Sequence, residues 1–153
     1  MANTYHKILI QTVFPVKYWD AILEKEWRTD LFSVIGNLIN ETGCQSIIVG
    51  GVADHVHCLF GLKPSITVSD VMKSAKAKSS KWINESGILQ HHFEWQAGFG
   101  AFSYCEWQQE KVVNYILRQE EHHCNKTFSE EYISTLDKFK VDYDQRYLFN
   151  ELI

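Results

Sequence analysis

The segment from His55 to Leu62 constrains the fold more than any other part of the sequence, because its residue types alternate cleanly. Alternate side chains of a β-strand point to opposite faces of a sheet. One face of this predicted strand is apolar and consists of Val56, Cys58, Phe60 and Leu62. The other face consists of His55, His57, Leu59 and Gly61. The apolar face is predicted to contact the hydrophobic core. Because the other face carries a leucine beside the two histidines, we expect another element to cover that face as well.

The flanking segments predict an ordered series of strands and helices. A turn at residues 50–54 joins the alternating strand to a preceding one and predicts a hairpin. Apolar residues at helical spacing predict helices, and runs of β-branched and aromatic residues predict strands. The predicted elements are a strand over 5–14, a helix over 18–42, strands over 45–49 and 55–62, a helix from Thr67 or Ser69 to about 84, a strand over 93–104, and helices over 106–122 and 129–140.

This order predicts an α+β fold, a ferredoxin-like βαββαβ antiparallel sheet with helices on one face. An added C-terminal helix, over 106–122, could cover the opposite face, where the histidine pair lies. The chain has 153 residues, of which 45% are apolar and 14% aromatic. That composition predicts one well-packed domain over residues 1–153.

The sequence also predicts the cellular location of the protein and the state of its cysteines. No apolar run approaches the roughly 18 residues of a membrane span, and residues 1–7 lack the apolar core of a signal peptide. We therefore expect a cytoplasmic protein with no membrane contact, whose four cysteines are reduced thiols. Cys58 follows His57 directly and could suggest a zinc site, but strand alternation directs it to the opposite face, so we expect a core cysteine.

The charge pattern is uneven. The net charge of −4 is not typical of a nucleic-acid-binding protein. Residues 63–81, however, hold five lysines against a single acid, Asp70, which leaves a local balance of +4 and −8 for the remainder. This asymmetry fits an electrostatic footprint for nucleic acid and fits a solvated helix face equally well.

Two separate fragments carry the candidate chemistry. His55 and His57 lie side by side on their strand, and neighbouring imidazoles can share one metal ion. Tyr115 and Gln119 lie four residues apart on the predicted 106–122 helix, so they share one stripe of its surface. The other members of that polar stripe are Gln108 and His122, and the adjacent sector, predicted to be buried, consists of Val112, Val113, Ile116 and Leu117. Two imidazoles, an amide and a phenol around one divalent cation would suit tyrosine attack on a phosphodiester, although a chance histidine pair and a tyrosine at the core edge remain alternatives.

Both fragments resemble one known family. Asp54-His55-Val56-His57 resembles the His-hydrophobic-His motif of the HUH single-strand endonucleases. The segment 111–119, Lys-Val-Val-Asn-Tyr-Ile-Leu-Arg-Gln, resembles the nucleophile helix of their single-tyrosine transposases, the enzymes of minimal bacterial insertion sequences and their palindrome-associated relatives. The resemblance extends to residues 78–80, 98–103 and 143–148. Ala53 departs from the pattern, because many relatives have proline in that turn.

The resemblance implies a metal-dependent single-stranded DNA endonuclease and strand transferase. His55, His57 and Gln119 would bind a divalent cation, Mg²⁺ or Mn²⁺, and zinc could also occupy such a site. Tyr115 would attack the scissile phosphate and give a 5′-phosphotyrosine and a free 3′-hydroxyl. The family further implies single-stranded DNA with hairpin ends as partner and a homodimer in which the tyrosine helix of one subunit can complete the histidine site of the other.

The resemblance also bears on the basic and aromatic side chains. The candidates for DNA phosphate contacts are Lys73, Lys76, Lys78, Lys81 and Arg118. Trp95 and Phe99 could stack on bases, but core packing is the expected role for both. Glu121, His122 and His123 are expected to form an exposed helix end.

Three other interpretations stay open. The protein could be a domesticated relative that nicks palindromic repeats without mobilising itself. It could be a nonenzymatic ferredoxin-like module that binds nucleic acid through its sheet. It could also be a small zinc hydrolase that uses His55 and His57 with water as the nucleophile.

Overall fold

The structure is a computed structural model that describes residues 3–144. Residues 145–148, part of the resemblance above, lie outside the described residues. The strands are β1 (Leu9–Pro15), β2 (Gln45–Val52), β3 (His55–Gly61) and β4 (Gly100–Tyr104). The α-helices are α1 (Lys25–Glu41), α2 (Val68–Ser86), α3 (Gln109–Leu117), α4 (Gln119–His122) and α5 (Phe128–Lys138). Short 3₁₀ turns occupy Lys17–Trp19 and Glu106–Gln108.

The four strands form one antiparallel sheet in the order β2-β3-β1-β4. With α1 after β1 and α2 after β3, the chain has the predicted ferredoxin-like βαββαβ order. The hairpin of β2 and β3 is confirmed, and His57 lies opposite Val13 of β1 and Gly50 of β2. The histidine strand is therefore central, hydrogen-bonded on both sides.

The main core fills one face of the sheet. It lies between the strands and helices α1 and α2, and it includes Phe14, Leu31, Ile35, Cys58 and Met72. Cys58 is fully buried there, and burial raises the pKa of its thiol to about 12. This confirms the expectation that Cys58 is a core cysteine and points away from the histidines.

The opposite face, which we call the histidine face, is covered by α3 and α5. Val112 and Ile116 of α3 pack on Leu59 of β3. Phe128 and Leu136 of α5 pack on β1 and β4, in a second small apolar cluster. The predicted cover over Leu59 is thus present as α3, and α5 adds a second helix over Val13 and Phe102 on the same face.

The glycines near the hairpin explain how closely α3 approaches the sheet. Gly50 faces α3, and a Cβ atom at that position would lie 2.8 Å from Ile116 Cγ2. Gly50 and Gly51 are paired residues of β2, so the turn is confined to Ala53 and Asp54, shorter than predicted. No helix among residues 3–144 is both long and apolar enough to cross a membrane.

Several predicted element boundaries are wrong, for identifiable reasons. The predicted 18–42 helix begins only at Lys25, because Tyr18 and Trp19 adopt left-handed conformations with φ near 60° and the backbone is extended at Asp20 and Glu24. The first strand begins at Leu9 rather than at residue 5, and the helix over 129–140 occupies Phe128–Lys138.

The predicted 93–104 strand is mostly a loop. Only β4 pairs with β1, and Trp95 forms an isolated bridge to Val16. Between them Gly98 adopts a left-handed φ of +82°, which ends the extended run. Phe93 and Trp95 are buried because they fill the main core beside α2, so their apolar character reports packing rather than a strand.

The predicted 106–122 helix is divided into a 3₁₀ turn, α3 and α4. The break falls at Arg118, whose backbone lies outside the helical region at φ −99°, ψ 23°. Leu117, predicted to be buried, is 66% exposed because α3 faces the sheet through Val112 and Ile116. Glu120 forms an ion pair with Arg28 of α1, with Arg28 Nη2 at 2.5 Å from Glu120 Oε1.

Candidate active site on the histidine face

Strand β3 presents the two histidines side by side. His55 and His57 are buried, and their ring centroids lie 5.0 Å apart. Phe128 of α5 stacks on His55 with 4.2 Å between ring centroids, which fixes the plane of that ring. The two histidines are therefore buried beneath the helices that cover the histidine face and are shielded from water.

Each histidine is anchored through its Nδ1 atom, so each directs Nε2 toward the same place. Asp54 Oδ1 lies 2.6 Å from His55 Nδ1. Gln11 Nε2 lies 2.9 Å from His57 Nδ1, and Gln11 Oε1 accepts a hydrogen bond from the Tyr104 hydroxyl at 2.9 Å. Metal-binding histidines commonly carry such a partner on the other ring nitrogen, which fixes the ring orientation.

Glu131 of α5 faces both Nε2 atoms. Its Oε1 atom lies 3.4 Å from His55 Nε2 and 3.2 Å from His57 Nε2. One ligand atom from each of these three residues lies within 4.8 Å of the others, a spacing that one metal ion could span. Glu131 was missed by the sequence reasoning. One signal was available in the sequence. Glu131 lies beside an apolar stripe of α5 that contains Phe128, Tyr132 and Leu136, and an acid beside such a stripe can be buried with it.

The two side chains predicted on the nucleophile helix reach the same cluster. The Tyr115 hydroxyl donates a hydrogen bond to Glu131 Oε2. Gln119 Oε1 lies 3.1 Å from His55 Nε2, and Gln119 Nε2 donates to Glu131 Oε2 at 3.3 Å. The break at Arg118 keeps Gln119 buried over the histidines while α3 holds Tyr115. Within one chain, the structure thus brings together His55, His57, Tyr115 and Gln119.

His123 also belongs to this cluster, although it was expected at an exposed helix end. Its Nε2 atom lies 3.2 Å from Gln119 Oε1 and 3.3 Å from Glu131 Oε2. Its ring lies 4.7 Å from that of His55. His122 is exposed, and its ring lies 4.7 Å from that of Tyr115.

The environment keeps Glu131 ionised. Burial alone would raise the pKa of its carboxyl group, but hydrogen bonds from His123, His55 and His57 hold that pKa well below its usual range. Burial lowers the pKa of His57. For His55 the same burial is outweighed by hydrogen bonds to Asp54 and Glu131, so its pKa is raised. A carboxylate thus lies against the two anchored imidazoles.

The same environment keeps Tyr115 protonated at neutral pH. Burial raises the pKa of its phenol, and the negative charge of Glu131 raises it further. Tyr115 could therefore act as a nucleophile only if a positive charge lay near its oxygen or a base accepted its proton.

The four predicted lysines lie on α2, on the other side of the sheet from this cluster, whereas Arg118 precedes Gln119 and lines a surface pocket with Tyr115. Lys73 and Arg118 are exposed, and Lys78 and Lys81 lie 3.9 Å from Glu41 and Glu85. The Lys76 ammonium group instead donates hydrogen bonds to the carbonyl oxygens of Gln96 at 2.7 Å and Gly98 at 2.6 Å. Burial lowers the pKa of Lys76 to about 8. A phosphate-contact role for these five residues stays a prediction, and Lys76 is the one that backbone carbonyl groups hold.

Trp95 and Phe99 pack with the main core, as expected. Trp95 is 8% exposed, donates a hydrogen bond from Nε1 to Ser79 Oγ at 3.0 Å, and meets Phe14 and Phe93 edge to face. Phe99 is partly buried against the same core. A base-stacking role for Trp95 has no support in this arrangement.

Comparison with known proteins identifies the class to which this fold and site belong. Residues 4–119 match the family described as IS200-like transposases. No curated protein matches the chain significantly. Since the matched residues include the histidine strand and the Tyr115 helix, the chain belongs to the IS200-like transposase family.

Solved structures show the same fold. A candidate transposase from Deinococcus radiodurans R1 superposes with a TM-score of 0.62 at 18% identity, over 78% of this chain and 95% of that chain. A REP-associated tyrosine transposase bound to a REP hairpin superposes with a TM-score of 0.59 at 15% identity, over 80% of this chain and 73% of that chain. The family match ends at Gln119, so His123, α5 and Glu131 lie beyond it.

Proposed function

We propose that the protein is a metal-dependent single-stranded DNA endonuclease and strand transferase that acts through a covalent 5′-phosphotyrosine on Tyr115. The observation that carries this proposal is the convergence of four side chains from β3, α3 and α4 on one buried point. Family membership supports DNA transposition as the process. The hydrogen bond from Tyr115 to Glu131 supports the tyrosine as nucleophile, because it holds the hydroxyl beside the anchored histidines.

The residues present fit a divalent cation. His55 and His57 offer imidazole nitrogens, Glu131 offers a carboxylate oxygen, and Gln119 offers an amide oxygen. Mixed nitrogen and oxygen ligands suit Mn²⁺ well and Mg²⁺ less well, since Mg²⁺ prefers oxygen. A bound cation would supply positive charge that stabilises the negative charge developing on the scissile phosphate. We expect His55, His57 and Gln119 as ligands, with Glu131 as the ligand that the sequence did not reveal.

The chain's own residues would then perform a balanced exchange of esters. The Tyr115 oxygen forms a bond to phosphorus as the bond from phosphorus to the 3′-oxygen breaks. The phenolic proton of Tyr115 passes to water, and the departing 3′-oxygen takes up a proton from water to become a hydroxyl. Because one ester replaces another, a second 3′-hydroxyl can reverse the step and join a new strand, whereas hydrolysis would lose that option.

The substrate is proposed to be single-stranded DNA that carries a hairpin end. The REP-associated neighbour was solved with a REP hairpin, which supports a structured DNA partner for a chain of the same fold. Lys73, Lys78, Lys81 and Arg118 are the exposed candidates for phosphate contacts. A homodimer is part of the proposal, although one chain already brings Tyr115 to its own histidines.

A covalent-capture gel tests the mechanism. The protein is incubated with Mn²⁺ or Mg²⁺ and labelled single strands taken from the hairpin-bearing flanks of its own gene. We expect a denaturant-resistant protein–DNA adduct that requires the metal and disappears in both Tyr115→Phe and His57→Ala. Tyr5→Phe is the matched control, since Tyr5 is 88% exposed and remote from the cluster, and it should retain the adduct.

Two other results would each favour a competing function. Cleavage without an adduct, undiminished in Tyr115→Phe, would indicate a metal hydrolase that uses water. Tight DNA binding with neither cleavage nor adduct, under every metal tried, would indicate a nonenzymatic binding module.

A further inference from the structure

A cavity of about 240 Å³ opens beside Tyr115, between the sheet, α3 and α5. Its inner end reaches His57, Glu131 and Gln11, so it adjoins the candidate active site directly. We call it the Tyr115 cavity. A ligand held there would lie next to the tyrosine hydroxyl without displacing the histidine pair.

Aromatic rings form one wall of the Tyr115 cavity. Phe139 lies 4.9 Å from Phe102 and 5.4 Å from Tyr104, measured between ring centroids. Tyr104 and Phe139 are only partly buried, and the Tyr104 hydroxyl is held by Gln11, so the orientation of its ring is fixed. A fixed and partly open aromatic wall is the arrangement on which an unstacked nucleobase can stack.

The outer part of the cavity is basic. Lys111, Lys126 and Lys138 line it, and all three are exposed. None of them forms an ion pair with a carboxylate within residues 3–144. Among the described lining residues the one acid is Glu131, which is engaged by histidines. Lys138 Nζ lies 5.8 Å from the centroid of the Phe139 ring, on the same wall. In a chain with a net charge of −4, three ammonium groups with no carboxylate partner among the described residues are a local exception.

We propose that the Tyr115 cavity binds one unstacked nucleotide of single-stranded DNA, next to the phosphate that Tyr115 attacks. The base stacks on the ring of Phe139, against which Tyr104 stands edge to face, and the flanking phosphates lie among the three lysines. This inference rests on the proposed function and adds the subsite that positions its substrate. Lys126, Lys138 and Phe139 lie beyond the family match, so the C-terminal segment of this chain supplies part of the subsite, whereas Tyr104 and Lys111 lie within the match.

The role of the lysines is tested by measuring DNA binding under conditions in which no cleavage can occur. All proteins carry Tyr115→Phe, the buffer contains EDTA, and the probe is fluorescein-labelled octathymidylate followed by fluorescence anisotropy. The double variant Lys126→Gln/Lys138→Gln should bind roughly tenfold more weakly at low salt, and its salt slope should fall by about 1.4, for two single-strand phosphate contacts. The matched control Lys7→Gln/Lys25→Gln removes the same charge from exposed sites elsewhere and should bind normally.

The stacking part is tested by fluorescence of 2-aminopurine, scanned through the same oligonucleotide. Stacking on an aromatic ring quenches this base, so we expect quenching at one position on binding. Phe139→Leu keeps an apolar side chain but removes the ring, and should relieve the quenching and weaken binding at least about fivefold. Tyr5→Leu is the control. Circular dichroism of each variant confirms that it is folded.

The proposal is overturned when the lysine double variant binds with the affinity and salt slope of its control and Phe139→Leu leaves the fluorescence unchanged. Because these measurements involve no cleavage, they separate the two proposals. Nucleotide binding here with no adduct in the capture gel contradicts only the strand-transfer mechanism. An adduct together with unaltered binding in the cavity variants contradicts only the subsite.

Discussion

The two faces of the sheet are both covered by helices but are built from different side chains. The face under α1 and α2 is a continuous apolar core. The histidine face holds two small apolar clusters with a buried polar cluster beside them. Buried polar groups cost free energy unless they are hydrogen-bonded, and His55, His57, Gln119 and Glu131 all have partners. One face therefore stabilises the fold, and the other holds the buried polar side chains of the candidate site.

Strand β3 links these two faces, since it contributes alternate residues to both. Val56 and Phe60 enter the main core, while His55 and His57 enter the polar cluster. A slip of one residue in strand register would exchange the two sets. The apolar face thus also fixes the register that aligns the histidines, and variants on either face can test how separable the two roles are.

The largest expected effect is on the stability of the apolar face. Leu31→Ala removes a fully buried side chain from the main core and should lower the free energy of unfolding by about 2–5 kcal/mol. Urea denaturation measures this loss. The Mn²⁺ affinity of the folded protein, measured by calorimetry, should stay unchanged, and a parallel loss of affinity would show that the two faces are not separable.

The next effect is confined to the histidine face. Glu131→Gln keeps the shape of the side chain but removes the charge that faces both Nε2 atoms, so Mn²⁺ affinity should fall by about 100-fold or more. Loss of an outer partner of a metal ligand already costs roughly 10- to 100-fold, and loss of a charged ligand should cost at least the upper value.

Glu130→Gln is the matched control for this variant. Glu130 is the preceding residue and is exposed, with its side chain near Thr127 at the start of α5. It should bind Mn²⁺ normally. Equal affinity in Glu131→Gln and wild type would remove Glu131 from the proposed ligand set and leave His55, His57 and Gln119.

The third prediction concerns an anchor that lies behind the histidines. Gln11 is buried and joins His57 Nδ1 to the Tyr104 hydroxyl. In this structure Gln11 presents Nε2 to His57 Nδ1. A metal on His57 Nε2 would leave the proton on Nδ1, so metal binding requires the Gln11 amide to turn and present its oxygen to that atom as an acceptor. Gln11→Leu removes this acceptor and should weaken Mn²⁺ binding about 10- to 100-fold in calorimetry.

Two companion variants sharpen that result. Tyr104→Phe removes only the hydroxyl that orients Gln11, so its effect on Mn²⁺ affinity should be smaller than that of Gln11→Leu. Gln45→Leu makes the same substitution at an exposed strand position and should bind Mn²⁺ normally. If Gln11→Leu bound Mn²⁺ as tightly as Gln45→Leu, His57 would not need this anchor.

The comparison of the faces also explains which features the sequence could reveal. The alternation in β3 and the four-residue spacing of Tyr115 and Gln119 are local patterns, so both fragments and the βαββαβ order could be predicted. The apolar stripe of α5 could indicate that Glu131 is buried, but its contact with His57, 74 residues away in sequence, depends on how α5 packs against β3, and no local pattern encodes that packing. His123 was missed for the same reason.

The incorrect boundaries have a different cause. Phe93 and Trp95 have the residue types of a strand, but they contact α2 and the main core, and tertiary packing decides their conformation. The left-handed backbone at Tyr18 and Trp19 ends a pattern that looked helical. Leu117 fits the apolar sector of an uninterrupted helix, whereas α3 ends there and the residue faces solvent.

The smallest expected effect lies at the margin of the apolar face, at Lys76. Burial lowers the pKa of this side chain from 10.5 to about 8. Between those two values the unfolded chain binds more protons than the folded one, so the stability contributed by Lys76 should rise with pH. Relative to Lys76→Met, wild type should gain less than about 1 kcal/mol between about pH 8 and about pH 10, because the side chain is partly exposed.

Urea denaturation of both proteins at the two pH values measures that difference, and Lys73→Met, at an exposed position of the same helix, should show no change relative to wild type. If the difference in free energy of unfolding between wild type and Lys76→Met did not change with pH, the carbonyl groups of Gln96 and Gly98 would keep the ammonium charged in spite of burial. Either outcome bears on DNA binding. An ammonium group committed to the 96–98 loop is less available to phosphate, so Lys73→Met should weaken binding of single-stranded DNA more than Lys76→Met does.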